Sequence, residues 1–107
     1  MSDLYCAILN EDKIPEEPNE EMFLGSIDLH EHKSLETIFN LCKKNGVDLL
    51  YFDDVYLEPK NVKKMLDIFE SYKIADKTSL AKKSYEKMLS ILKTASEKQC
   101  GILSYCD

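Results

Sequence analysis

The 107-residue sequence contains no arginine and no tryptophan, only three glycines and three prolines, and no long apolar run. Each absence excludes something. Without arginine there is no planar guanidinium to grip phosphate bidentately, and with a formal net charge of −6 a nucleic-acid-binding role is not expected. No window approaches the roughly 18 consecutive apolar residues of a membrane span. The start, MSDLYCAILNEDK, lacks a basic region ahead of its short apolar stretch, so a soluble cytoplasmic protein is expected. Neither a glycine-rich phosphate loop nor a CxxC pair occurs, which leaves phosphoryl transfer and zinc ribbons without their motifs.

What is present suits one domain. At 44% hydrophobic residues the chain can supply a core of its own, whereas two independent domains would each be marginal. Its charge is polarised: residues 1–58 carry fourteen acids against four lysines, and residues 59–107 carry ten lysines against six acids. The cysteines Cys6, Cys42, Cys100 and Cys106 each lie in an apolar segment and are expected to be buried, reduced thiols.

Read in order, Leu4–Leu9 is a short apolar strand. Residues 11–21 form an acidic, proline-containing loop that includes Glu16, Glu17, Glu20 and Glu21. Met22–His30 alternates and predicts a second strand, with Phe23, Gly25, Ile27 and Leu29 on one side and Gly25 marking a bulge or a close approach. Ser34 is the expected cap of a first helix whose apolar stripe is Leu35, Ile38, Phe39 and Cys42 and whose end is Gly46. Val47–Phe52 predicts a third strand, and Asp53 to Leu57 a loop. Pro59 at the first helical position opens a second helix bearing Val62, Met65, Leu66, Phe69 and Tyr72. Thr78 or Ser79 caps a long third helix (Ala81, Tyr85, Met88, Leu92, Ala95), which Gly101 can end before a closing strand. The expected fold is therefore α+β, a small single domain over 1–107 with about four short strands and three helices in the order β-β-α-β-α-α-β.

Catalytic and metal chemistry find little support. His30 and His32, if alternate residues of a strand, share a face, yet no thiol or carboxylate partner is fixed beside them by spacing. Cys100 and Cys106 on an extended segment lie roughly 20 Å apart. Cys42 on an apolar stripe and Cys106 beside a terminal carboxylate both lack what activates a nucleophilic thiol. Adjacent Asp53 and Asp54 point to opposite sides of an extended chain and do not flank a substrate. No catalytic residue, metal or cofactor is assigned.

The most pointed surface is acidic and aromatic: Tyr51, Asp53, Asp54, Tyr56 and Glu58, with Glu16, Glu17, Glu20 and Glu21 as a second acidic lip. Tyrosine supplies contact area at low entropic cost, and acidic groups steer a basic partner into place. The central stretch SLETIFNLCKKNGVDLLYFDDVYLEPKNVKKMLDIF places a helix, a short apolar strand, an aspartate-bearing loop and a Pro-led helix in succession. In this it resembles the acidic immunity proteins of bacterial polymorphic-toxin and contact-dependent-inhibition systems. That resemblance carries over no residue assignments. It implies a cytoplasmic, non-enzymatic inhibitor that neutralises a cognate toxin protein, a basic nuclease domain being one candidate. The lysine-rich C-terminal half departs from a uniformly acidic inhibitor. The alternative is a structural or adaptor subunit acting through homo- or hetero-oligomerisation.

Overall fold

The computed structural model describes residues 2–7, 19–49, 51–72 and 78–106. Four strands, β1 (Ser2–Ala7), β2 (Phe23–Ile27), β3 (Val55–Leu57) and β4 (Gly101–Cys106), form one antiparallel sheet in the order β2-β1-β4-β3. Four helices, α1 (Leu29–Ser34), α2 (Glu36–Lys44), α3 (Pro59–Ser71) and α4 (Ser79–Glu97), complete an α+β domain. A 3-10 turn at Glu20–Met22, capped by the Asn19 side chain, leads into β2. Residues 11–18 of the acidic loop, Glu16 and Glu17 among them, lie outside the described residues.

The helices cover one face of the sheet. Leu4, Ile27, Leu57 and Ile102, one from each strand, join a single core with Ile38, Phe39, Val62, Met65, Phe69, Met88 and Leu92 from the helices. Burying such aliphatic and aromatic side chains stabilises by about 1.5–3 kcal/mol each against exposure. The other face carries a row in register across all four strands: Phe23 opposite Tyr5, Tyr5 opposite Leu103, and Leu103 opposite Tyr56. Tyr5 meets Phe23 and Tyr105 edge to face, with ring centroids 5.3 and 5.6 Å apart.

Alternation over residues 22–30 breaks at two points. A bulge between Leu4 and Tyr5 shifts the β1–β2 register, so Phe23 and Ile27 do not share a face: Phe23 is 48% exposed and Ile27 is in the core. Gly25 sits at the shift, where a Cβ would lie 3.0 Å from the Ile91 side chain. The strand then stops at Ile27, because Asp28-Leu29-His30-Glu31 is a capping box. The Glu31 amide donates to the Asp28 carboxylate at 2.8 Å, and the Asp28 amide donates to the Glu31 carboxylate at 3.1 Å. Ser34 ends α1 instead of capping the next helix, its hydroxyl donating to the Glu31 carbonyl.

Val47–Phe52 does not form the expected strand. Val47 and Leu49 are buried in irregular backbone under α1 and α2, and the edge position beside β4 is taken by Val55–Leu57, expected as a loop. The backbone on either side explains the offset. The Tyr51 carbonyl accepts from the Ser2 hydroxyl at 3.2 Å, and the Asp54 carboxylate accepts from the Cys106 amide at 2.8 Å, so the chain rounds the sheet end before it can pair.

The two longer helices follow the sequence closely. Pro59 opens α3, and Thr78 caps α4 by accepting from the Ala81 amide at 3.2 Å. Gly101, however, does not end α4; Gln99 does, at φ 55°. Glycine is needed at 101 because a Cβ there would run into the Leu57 carbonyl and stand 2.6 Å from the Tyr56 ring. Cys100 is disulfide-bonded, against the expectation of a reduced thiol. Nothing in the spacing of four cysteines specifies a pairing. The side chain of Cys6 lies outside those described.

Candidate functional site

The site forms at the end of the sheet where β2 gives way to α1 and where the 47–54 connection crosses. Glu31 holds α1 in place: besides completing the capping box, its carboxylate pairs at 2.5 Å with Lys87 of α4, whose ammonium also donates to the Ser26 carbonyl at 3.2 Å. One residue further, His32 faces the crossing chain. Its Nε2 donates to the Leu49 carbonyl at 3.2 Å, which fixes the proton on Nε2 because a carbonyl can only accept. The ring stacks on Phe39 of α2, with centroids 4.4 Å apart and planes at 16°, and meets Tyr51 edge-on at 5.2 Å. Tyr51 in turn meets Phe52 edge-on at 5.0 Å. These four rings line a groove of about 260 Å³, rimmed by Lys33, Glu36, Lys43 and Asp48. Phe52, 73% exposed, is its outer wall.

Of the residues expected to bind a partner, Tyr51, Asp53 and Asp54 lie at this corner. Asp53 is exposed and pairs with no lysine among the described residues, whereas Asp54 is partly committed to the fold through the Cys106 amide. Burial, and after it the Asp54 charge, raises the Tyr105 pKa above its ordinary value. Tyr56 is on β3, half-buried, with its ring over Gly101. Glu58 precedes α3 at the far end of β3, exposed and 3.5 Å from Lys60. Glu20 and Glu21 precede β2 on the opposite sheet edge, three strand spacings or about 14 Å across, at the strand end of Glu58 and away from that of Asp53 and Asp54. The register thus separates Glu20 and Glu21 from the Tyr51–Asp54 corner.

Phe52, His32 and Phe39 complete the groove and were not among the expected binding residues. Phe52 was legible as the last residue of an apolar run followed directly by two aspartates. The histidine was hidden by reading 22–30 as a strand. On α1, His30 and His32 are two residues apart and therefore about 200° apart around the axis, so they do not share a face. Among the described residues no cluster of three His, Cys, Asp or Glu side chains could hold a metal ion. The Cys42 thiol is buried and pushed by that burial up to about 11, which keeps it protonated and unreactive at neutral pH. No described helix is long and apolar enough to cross a membrane.

Compared with known proteins, the chain matches no family model, no curated protein and no solved structure.

Proposed function

We propose that this domain is a protein-binding inhibitor of the immunity type, which docks a cognate toxin domain on the corner formed by Tyr51, Phe52, Asp53 and Asp54. The observation that carries the reading is Phe52. A phenylalanine 73% exposed, propped edge-on by Tyr51 and flanked by two carboxylates, has the composition of an interface anchor. The half-buried stack behind it limits the entropy lost on docking.

The partner is expected to be basic, because the acids at this corner steer encounter with a positive surface. Replacing Asp53 with lysine is expected to slow association, and Phe52→Ala to speed dissociation. Surface plasmon resonance against the partner recovered by affinity capture separates the two effects. If both variants keep wild-type rates, this corner is not the interface. The cytoplasmic setting expected of such an inhibitor is tested by the redox state of Cys100, since disulfides persist in oxidising compartments and are rare in reducing ones.

A further inference from the structure

We infer that the disulfide at Cys100 is a thiol-exchange site, opened by a small anionic thiol that enters the cleft between α3 and the end of α4. The inference goes beyond the protein-binding reading and does not depend on it.

The cleft has a volume of about 320 Å³. It is lined by Pro59, Lys60 and Lys63 of α3 and by Ser96, Gln99 and Cys100 where α4 gives way to β4. Its charged lining is therefore two lysines and no acid. The Glu58 carboxylate lies 3.5 Å from Lys60, but both side chains are well exposed and solvent weakens the pair. Lys63 pairs with no carboxylate among the described residues. The lining thus favours an anion, in a molecule whose formal net charge of −6 disfavours one elsewhere. Cys100 supplies the chemistry. It is bridged, only 6% exposed, and part of this cleft's wall, which makes the cleft the approach to its sulfur. Neither Cys42 nor Cys106 can open the bridge from within. The first is buried with its pKa pushed up to about 11, and the second lies at the far end of β4, roughly 20 Å along the strand. The reductant is therefore external.

In the first step a thiolate attacks the Cys100 sulfur, the disulfide bond breaks, and the bridge's other sulfur leaves with the electron pair. A mixed disulfide stands at Cys100. A second thiolate then attacks the sulfur that the first one brought, and Cys100 leaves as a thiolate beside Lys60 and Lys63, whose charge stabilises it. Two thiols are oxidised to one small disulfide, one protein bridge is reduced, and the two thiol protons end on the two cysteine sulfurs.

The test follows reduction of the full chain by mercaptoethanesulfonate, mercaptoethanol and cysteamine, which are anionic, neutral and cationic, with rates compared per thiolate and corrected for nucleophilicity. The sulfonate is expected to react about threefold faster than mercaptoethanol, with cysteamine slowest, and the preference is expected to shrink as salt is raised. Acid quenching and peptide mapping should find the first adduct at Cys100. Replacing both lysines, Lys60→Gln with Lys63→Gln at exposed positions, is expected to abolish the preference and leave the fold intact. Equal rates for the three thiols, cysteamine fastest in the wild type, or a preference that survives the double variant overturns the inference. Reduction no faster than global unfolding also overturns it, since the cleft would then give no access to the sulfur.

Discussion

Gln99 does at the end of α4 what Gly46 does at the end of α2. In both helices the residue after the C-cap turns left-handed, at φ 55° for Gln99 and 84° for Gly46. In both the next amide reaches back five residues, from Cys100 to the Ala95 carbonyl at 3.1 Å and from Val47 to the Cys42 carbonyl at 3.0 Å, while the Gln99 and Gly46 amides donate to the Ser96 and Lys43 carbonyls. These are two Schellman motifs, one built with the favoured residue and one without it.

Gln99→Gly is therefore expected to stabilise the protein by about 0.5–1 kcal/mol, since glycine removes the Cβ conflict of the left-handed region and only part of that gain is returned as chain entropy. In a domain of this size this corresponds to a rise in Tm of about 2–8 °C. Gly46→Ala is expected to destabilise by about 1 kcal/mol although its Cβ would meet no neighbour within 4 Å, because strain alone acts there. Thermal unfolding of the two variants checks the pair.

The Glu31–Lys87 pair is expected to contribute modestly to stability. The Glu31 side chain is 14% and that of Lys87 39% exposed, so solvent screens the pair in part. Glu31→Gln keeps an acceptor for the Asp28 amide while removing the charge, and a loss of about 1 kcal/mol is expected. In a double-mutant cycle with Lys87→Met, followed by urea unfolding, the coupling is expected to shrink as salt is raised. An additive cycle would assign the loss to the capping box alone.

Asp53 and Asp54 are expected to separate cleanly. Asp54→Ala deprives the Cys106 amide of its acceptor and is expected to cost about 1 kcal/mol. Asp53→Ala, at an exposed side chain, is expected to fall within about 0.5 kcal/mol of wild type. Denaturant midpoints read this directly, and the result decides which of the two can be varied in a binding assay without disturbing the fold.

Tyr85 donates its hydroxyl proton to the Phe69 carbonyl at the end of α3, and its ring stacks on Phe69. Burial, and then the neighbouring Glu70, raises its pKa above the ordinary 10.0. A phenol raised in the folded state binds its proton more tightly there than in the unfolded chain. Its contribution is therefore full below pH 10 and is lost as pH rises through the folded value. Tyr85→Phe is expected to be less stable at neutral pH, yet to lose less stability than wild type between pH 10 and the folded pKa, as measured by urea unfolding across that range.

Cys100 and Cys42 are expected to differ in alkylation. Unfolded without reductant, the protein should be modified at Cys42 and protected at Cys100. Peptide mass mapping checks this, and modification at Cys100 before reduction would show that the bridge had not formed.

Much of this fold could be read from local pattern. Pro59 with Val62, Met65, Leu66 and Phe69, and Thr78 with Ala81, Met88, Leu92 and Ala95, specify α3 and α4 because a helix satisfies its own backbone and displays its apolar spacing within one segment. Gly46 marks the end of α2 for the same reason. The Asp28–Glu31 capping box was equally local, but was masked by an alternation that fitted a strand through Leu29.

The tertiary structure decided what depends on distant partners. Val47–Phe52 and Val55–Leu57 are both plausible strands by composition, and only the hydrogen-bonding edge of Ile102–Ser104 selects the second. The groove follows from that choice. Once 47–54 is freed from the sheet, Leu49 and Tyr51 can reach His32, and Phe52 is turned outward beside Asp53. Helix signals are written within a few residues of one another, whereas a strand is completed by another strand, here some fifty positions away in the chain, which local periodicity does not encode.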